Sequence, residues 1–300
     1  MGVTQLQTAV EAKETRLRGT LEALPSVLVA LSGGTDSAYL AWVAQQVLGP
    51  STIAQGGSST SARNQARMLA VTAVSASLPE RERDEVEQFV QQFGIAHEFI
   101  RTEELANPLY VANHPDRCYH CKDELFDKLG ALARERGIAA VAYGVNLDDQ
   151  GDFRPGQQAA REHRILTPLL DAGLTKAEIR QLSRRAGLPT WDKPAAACLA
   201  SRLAPGIAVT DENLKKIERG EEALRKLGFR QVRVRYHGSP SGASAQGGEL
   251  VRIEIAPEEL PRALSPAMAR RFTEIFKALG FRFVTLDLEG YRQGSFNPQK

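Results

Sequence analysis

The sequence has little net charge and no long hydrophobic run. Its 38 Lys and Arg residues nearly balance 36 Asp and Glu residues, for a formal charge of +2, so the composition gives no indication of a nucleic-acid partner. No apolar segment approaches the roughly eighteen residues of a membrane span, and the N-terminal residues lack the apolar core of a signal peptide. We therefore expect a cytoplasmic protein that binds neither membranes nor nucleic acid.

Cysteine is also scarce, with only Cys118, Cys121 and Cys198 among 300 residues. An odd number that includes a C-x-x-C pair argues against structural disulfides in a reducing cytosol and favours metal, cluster or sulfur chemistry. Three thiolates without an evident fourth ligand fit a 4Fe-4S cluster with one open iron. Zinc would need a fourth ligand, for which His114 is close enough to be considered, and unligated thiols are a third alternative.

The most informative stretch is VLVALSGGTDS at 27–37. Its apolar run predicts a buried parallel strand, and 37–48 predicts the helix that follows. Glycines at this turn allow backbone N–H groups and the helix dipole to face an anion, and hydroxyls add donors, although the Lys of a Walker A loop is missing. An ordinary strand-to-helix turn is the alternative. The candidate phosphate-binding residues are Ser32, Gly33, Gly34, Thr35, Asp36 and Ser37.

Two charged residues extend this candidate site. Asp36 could help to hold Mg²⁺ beside bound phosphates, because Mg²⁺ is commonly bound by one or two carboxylates together with phosphate oxygens. Its alternative role is to cap the following helix. Lys122, directly after the cysteine pair, could neutralise a phosphate or a developing charge, or could be a solvated helix residue.

Strands alternate with helices over most of the chain, which predicts an α/β fold with a parallel doubly wound sheet. After the first strand, further strands are predicted at 69–74, 97–100, 139–143 and 165–169. We assign 1–204 to this domain, with a flexible insertion at 51–67, and 205–300 to a smaller C-terminal α+β domain with a flexible loop at 238–248. The second domain contains two helix–strand units that share the sequence L-G-F-R at their turns.

Charged residues also mark the second domain. Arg233 and Arg235 alternate with valines on one predicted strand, so both guanidinium groups face the same side, where they suit a phosphate or carboxylate. A solvated outer face of the sheet explains the spacing equally well. Glu221, on a helix, and Glu254, on a neighbouring strand, could approach these arginines.

In this order, the motifs resemble the LarE family of the ATP pyrophosphatase (PP-loop) superfamily. They are SGGTDS at 32–37, VTAVSASLPERE at 71–82, CYHCK at 118–122, GDFRPG at 151–156, WDKPAAACLASR at 191–202, VRVRYHG at 232–238 and RIEI at 252–255. The resemblance implies that the first domain has an adenine nucleotide alpha hydrolase-like fold. It also implies that the protein is a sulfur transferase in the biosynthesis of the nickel-pincer nucleotide, which is the cofactor of lactate racemase. ATP and Mg²⁺ would adenylate the carboxylates of pyridinium-3,5-biscarboxylic acid mononucleotide, and sulfur would then displace AMP to give thiocarboxylates.

The resemblance also implies roles for single residues. Lys122 and Arg202 would lie at the reacting centre, Arg233 and Arg235 would bind the substrate phosphate, and Glu221 and Glu254 would hold a divalent metal. Glu258 and Glu259 are candidates for a third ligand of that metal. Homo-hexamers are typical of the family, so we expect a homo-oligomer.

The sulfur source depends on the cysteines. Family members with only the cysteine that matches Cys198 give up its sulfur in a single turnover, whereas members with three cysteines resemble cluster proteins. The three-cysteine pattern predicts that Cys118, Cys121 and Cys198 hold a 4Fe-4S cluster whose extra sulfide is transferred. The sequence does not indicate which donor replaces that sulfide.

Three other functions compete with this one. A cluster-dependent tRNA thiolase of the same superfamily would share the loop and the cysteines, but the near-neutral charge does not favour RNA. An amidating ligase resembling NAD or GMP synthetase would leave the cysteines unused. A non-catalytic adenine-nucleotide sensor with a structural zinc would explain both features without chemistry.

Overall fold

The computed structural model describes residues 3–49, 67–150, 155–194, 197–238, 248–292 and 296. Most of the predicted flexible segments at 51–67 and 238–248, and residues 151–154 of the GDFRPG motif, lie outside the described residues. The helices are α1 (Val3–Glu22), α2 (Thr35–Leu48), α3 (Glu80–Gln92), α4 (Pro108–Val111), α5 (Arg117–Arg136), α6 (Pro155–Glu162), α7 (Pro168–Asp171), α8 (Lys176–Arg185), α9 (Asp211–Lys226), α10 (Leu260–Ala263) and α11 (Pro266–Ala278). No helix within these ranges is long and apolar enough to cross a membrane.

The chain divides into two compact units. The first contains Met1–Ser75, Glu80–Thr102 and Cys118–Ala196, and the second contains Ala76–Pro79, Glu103–Arg117 and Ala197–Lys300. The predicted second domain, 205–300, lacks the two short segments that the second unit takes from the first half of the chain, and it begins at residue 205 where the unit begins its last segment at 197. These two segments follow the second and third strands of the chain, Met68–Val74 and His97–Arg101.

A parallel sheet forms the centre of the first unit. Its strands are β1 (Val27–Ala30), β2 (Met68–Val74), β3 (His97–Arg101) and β4 (Ala140–Tyr143), in the order β3-β2-β1-β4. All three pairings are parallel, which confirms the predicted α/β class. The strand predicted at 165–169 is wrong, because Leu166 makes a single bridge to Ala142 and Pro168 then starts a helix.

Helices cover both faces of this sheet. Side chains of β1 alternate between two cores: Val27 and Val29 face one core, and Leu28 faces the other. The first core is shared with α1, α2, α3 and α8, and the second with α5 and α6. A strand that is apolar on both faces is expected where helices pack on both sides of a parallel sheet, so the continuous run of apolar residues follows from the architecture.

The second unit contains a three-stranded sheet of β5 (Val232–Gly238), β6 (Leu250–Ile255) and β7 (Phe283–Leu286), in that order. β5 pairs with β6 antiparallel, and β6 pairs with β7 parallel. Both L-G-F-R turns end their helix in the same way, with Gly228 at φ +86° and Gly280 at φ +95°. The following residues, Phe229 and Phe281, are almost fully buried, which confirms the repeated helix–strand unit.

Candidate functional site

The Gly-rich loop between β1 and α2 is folded around one hydroxyl group. The backbone N–H of Ser32 donates to Oγ of Ser37 (3.1 Å), and that hydroxyl donates to the carbonyl of Gly34 (3.2 Å). Gly33 has φ +75°, and a Cβ at this position would lie 2.7 Å from Cγ2 of Val86. Only glycine fits both the backbone conformation and the space. The loop therefore presents backbone at the N-terminus of a 14-residue helix, which is the arrangement that suits an anion.

This loop lies where the order of the sheet reverses. β2 and β3 follow on one side of β1, and β4 lies on its other side, so the carboxyl ends of β1 and β4 form a topological switch point, where α/β proteins bind ligands. Gly144, just after β4, is so near the start of α2 that a Cβ would lie 2.7 Å from the backbone N of Ser37. The loop after β4 thus borders the phosphate-binding candidate directly.

Asp36 lies next to the loop that follows β4. Its Oδ2 accepts hydrogen bonds from Nδ2 of Asn146 (3.1 Å) and Nζ of Lys176 (2.8 Å). Its Oδ1 is buried and has no hydrogen-bond partner among the described residues. A buried carboxylate oxygen without a partner is costly unless a ligand satisfies it. The donor chemistry therefore fits a Mg²⁺ ion at Asp36, shared with phosphate oxygens.

A second lysine, Lys193, contacts the loop itself. Its Nζ donates to the carbonyl of Gly33 (3.1 Å) and forms ion pairs with Glu82 (2.6 Å) and Glu85 (2.7 Å) on α3. Burial alone would raise the pKa of Glu85, but the hydrogen bond and charge of Lys193 lower it below its usual value. Lys193 thus supplies, from a distant part of the chain, a lysine beside the Gly-rich loop. The sequence indicated a role for Lys193 only through its position in the WDKP segment.

The paired cysteines lie on the first turn of α5. Cys118 is exposed and Cys121 is half-buried, and their spacing of three residues places both thiols on one face of the helix. Lys122 is half-buried, and a Cβ on Gly156 would lie 2.8 Å from its Cγ. Thiols are suitable ligands for iron–sulfur clusters. Within the described ranges, however, no group of three or more His, Cys, Asp and Glu side chains could hold a metal ion, so the cluster stays a prediction.

In the second unit, the third cysteine starts a short 3-10 turn, Leu199–Arg202. Cys198 is exposed, whereas Arg202 is only 3% exposed. Nη1 of Arg202 donates to the carbonyls of Ala197 and Cys198 (2.8 Å to the latter), and its Nε donates to Glu221 (2.9 Å). The guanidinium group therefore contacts the backbone of the cysteine turn.

Arg233 and Arg235 lie on one face of β5, as predicted, opposite Glu254 and Arg252 of β6. Both are buried, at 9% and 6% exposure, so the alternative of a solvated outer face is wrong. Burial lowers the pKa of both guanidinium groups, and the charge of Arg202 lowers them further. The guanidinium group of Arg233 lies 5.1 Å from the ring centre of Tyr291.

Each of the two buried glutamates is paired with two arginines. Glu221 accepts from Arg202 and from Arg225 (2.8 Å), and Glu254 accepts from Arg235 (2.9 Å) and Arg252 (3.2 Å). Burial would raise the pKa of Glu221, but the positive charge of Arg202 lowers it overall. Carboxylates that already neutralise guanidinium groups do not form a donor set that fits a divalent cation.

The two candidates for a third ligand of the divalent metal, Glu258 and Glu259, do not make this donor set fit a divalent cation. Glu258 is exposed, and Glu259 accepts a hydrogen bond from the backbone N–H of Arg230 (3.0 Å).

Comparison with known proteins gives related chains of similar length, although no family model matches. The sequence is 42% identical to an uncharacterized protein of Synechocystis over 288 residues, 96% of this chain and 98% of that protein. It is 30% identical to the pyridinium-3,5-bisthiocarboxylic acid mononucleotide synthase of Lactiplantibacillus plantarum over 285 residues, 95% of this chain and 94% of the synthase. An uncharacterized protein of Methanocaldococcus jannaschii is 30% identical over 182 residues, 61% of this chain and 66% of that protein.

Proposed function

The chain belongs to the LarE family, that of the pyridinium-3,5-bisthiocarboxylic acid mononucleotide synthase, and from this membership we propose that it is an ATP-dependent sulfur transferase of nickel-pincer nucleotide biosynthesis. Its substrate is pyridinium-3,5-biscarboxylic acid mononucleotide, whose carboxylates become thiocarboxylates. The observation that carries the use of ATP is the Gly-rich loop at the sheet's switch point, beside Oδ1 of Asp36, which is buried without a hydrogen-bond partner among the described residues.

The first step activates a poor acyl donor. A carboxylate oxygen of the substrate attacks the α-phosphorus of ATP, and the bond to the β-phosphate oxygen breaks to release pyrophosphate. In this step the backbone of 32–37 binds the pyrophosphate, and Asp36 would hold Mg²⁺, which would neutralise phosphate charge when bound. Lys193 keeps the Gly33 carbonyl in place, while Lys122 neutralises the charge that develops near the acyl adenylate.

The second step transfers sulfur. A sulfide nucleophile attacks the acyl carbon, and AMP leaves with the bonding electrons, so that a thiocarboxylate remains. Cys118, Cys121 and Cys198 would hold a 4Fe-4S cluster, which when bound supplies the transferable sulfide on its open iron. The support for this proposal is the thiol chemistry of three cysteines, of which Cys118 and Cys198 are exposed.

Arg233 and Arg235 are proposed to bind the phosphate of the substrate. Their support is a shared face of β5 and forked donors that suit phosphate. Assembly into a homo-oligomer and a cytoplasmic location also belong to this proposal, by family membership.

The test is a product assay with matched variants. Anaerobically purified protein is incubated with ATP, Mg²⁺, sulfide and the biscarboxylate substrate, and AMP, pyrophosphate and thiocarboxylate are measured by mass spectrometry. Asp36→Asn should abolish AMP formation, whereas Asp84→Asn, the same change at an exposed position of α3, should not. ATP that stays intact with every substrate would refute the enzyme and favour the sensor, and AMP formed only with tRNA would favour the thiolase.

The sulfur source is tested separately. The cluster predicts about four irons per chain, an unchanged chain mass after turnover, and loss of thiocarboxylate in both Cys118→Ser and Cys198→Ser. A sacrificial cysteine predicts no iron, a chain lighter by one hydrogen sulfide, and loss of product in Cys198→Ser alone.

A further inference from the structure

Three arginines of the second unit donate hydrogen bonds to the backbone of the Cys198 turn (197–202), and one of them, Arg202, is the last residue of the turn itself. Arg117 donates from Nη1 to the carbonyl of Ala200 (2.7 Å), and Arg235 donates from Nη1 to the carbonyl of Ser201 (3.1 Å). Arg202 donates to the carbonyls of Ala197 and Cys198. Four of the five carbonyls from 197 to 201 thus accept hydrogen bonds from guanidinium groups.

Each arginine is itself anchored to the scaffold of the unit. Glu221 on α9 holds Arg202 (2.9 Å), and Glu254 on β6, which is fully buried, holds Arg235 (2.9 Å). The amide oxygen of Asn113 accepts a hydrogen bond from Arg117. A guanidinium group has several donors in a fixed plane, so it can bind an anchor and a carbonyl at the same time. Arg117 therefore connects Asn113 to the Cys198 turn, Arg235 connects β6 to it, and Arg202 ties the end of the turn to α9.

We propose that Arg117, Arg202 and Arg235 are positioning residues that fix the turn from which Cys198 presents its thiol. The inference rests on the proposed function only in that Cys198 takes part in sulfur transfer. A short turn with an exposed cysteine has no strand or long helix to order its backbone, and hydrogen bonds from the charged side chains of three buried arginines replace that support. In this role Glu221 and Glu254 are counter-ions that hold two of the arginines.

Hydrogen exchange of the intact protein tests this directly. The amides of Leu199, Ser201 and Leu203 all donate hydrogen bonds in the turn region, and the peptide that covers 197–204 reports on them. Arg117→Lys, Arg202→Lys and Arg235→Lys keep the charge but cannot make both contacts. Each should speed exchange in this peptide by on the order of tenfold to a hundredfold, because hydrogen bonds to charged groups contribute roughly 1.5–3 kcal/mol.

The chain offers matched controls. Arg225 pairs with Glu221, as Arg202 does, and Arg252 pairs with Glu254, as Arg235 does. Among the described residues, neither Arg225 nor Arg252 donates a hydrogen bond to a carbonyl of 197–201. Arg225→Lys and Arg252→Lys should therefore leave exchange at 197–204 at the wild-type rate. If the controls loosen the turn as much as Arg202→Lys and Arg235→Lys do, the effect is general charge pairing, and the proposal is overturned.

Kinetics distinguish positioning from substrate binding. Arg117 has no proposed contact with the substrate, so Arg117→Lys should lower kcat for thiocarboxylate formation with KM unchanged, whereas Arg235→Lys, which also loses a proposed phosphate contact, should lower kcat and raise KM. A raised KM with unchanged exchange in the Arg235→Lys variant would also overturn the proposal. The exchange experiment needs neither ATP nor substrate, so its failure is distinct from failure of the proposed function. If Arg202→Lys does not fold, the Arg117 and Arg235 variants decide the outcome.

Discussion

Replacing Gly144 with alanine should move the Gly-rich loop away from β4. The new Cβ would lie 2.7 Å from the backbone N of Ser37 and 2.9 Å from the carbonyl carbon of Asp36, at least 0.5 Å short of ordinary van der Waals contact. Its neighbours are backbone atoms in the first turn of α2, so no side chain can rotate to relieve the contact. Overpacking of this kind costs about 1–3 kcal/mol, and we expect the upper half of that range.

Two measurements test this prediction. Urea denaturation should give a free energy of unfolding lower by about 2–3 kcal/mol. Calorimetric titration should show ATP bound about tenfold more weakly, because the displaced turn carries the groups proposed to bind phosphate. Gly19→Ala is the matched control. It places a Cβ in open space on α1 and should stabilise the protein by about 0.5–1 kcal/mol. A Gly144→Ala protein with wild-type stability and ATP affinity would refute the reasoning.

Three further predictions concern charges. In the absence of nucleotide, Lys176→Met should tighten the binding of Mn²⁺ at Asp36 about threefold or more, because the variant lacks an ammonium group that competes for the carboxylate. A Mn²⁺ titration followed by electron paramagnetic resonance that gives the wild-type affinity would contradict this. Burial lowers the pKa of His97 to about 4, so the folded state holds the ring uncharged. The contribution of this uncharged ring to the free energy of unfolding is complete above pH 6.5 and is lost as the pH falls toward 4. Relative to His97→Gln, the wild type should lose about 1–2 kcal/mol between pH 7 and 4.5 in urea denaturation, and equal losses would refute the buried neutral ring. Glu221→Gln should cost roughly 3–5 kcal/mol, because Arg202 loses its buried counter-ion; calorimetry showing less than about 1 kcal/mol would argue against the pairing. Since the pKa of Glu221 is lowered, the wild-type advantage should also fade as the pH drops below 4.5.

Local pattern was sufficient to predict the elements of the fold. The apolar run at 27–31, the glycine at each L-G-F-R turn and the alternation on β5 are properties of adjacent residues, and each was confirmed. The exceptions are the fifth strand, where Pro168 ends the extended segment and starts a helix, and the short helices α4, α6, α7 and α10, which were not predicted.

Partnerships across the chain were not predictable from pattern. Lys193 and Gly33 are separated by 160 residues, and Arg117 and Ala200 by 83. Periodicity predicts which face a side chain occupies, but it does not predict what packs on that face. The same limit explains why Arg233 and Arg235 could be placed on one side of a strand while their burial could not be predicted.

The division of the chain into two units also limits where its coding sequence can be divided into separate domains. The polypeptide crosses from one unit to the other five times, so any uninterrupted stretch that encodes one unit completely also encodes segments of the other. A fragment that stops at residue 196 would keep the buried side chains of Tyr110 and Asn113 but lose Ala204, to whose carbonyl Asn113 donates. Recombination near the domain boundary would therefore produce chains with unpaired interior surfaces. We therefore expect the Gly-rich loop and the cysteine turn to stay within one gene and not to be exchanged between genes as separate domains.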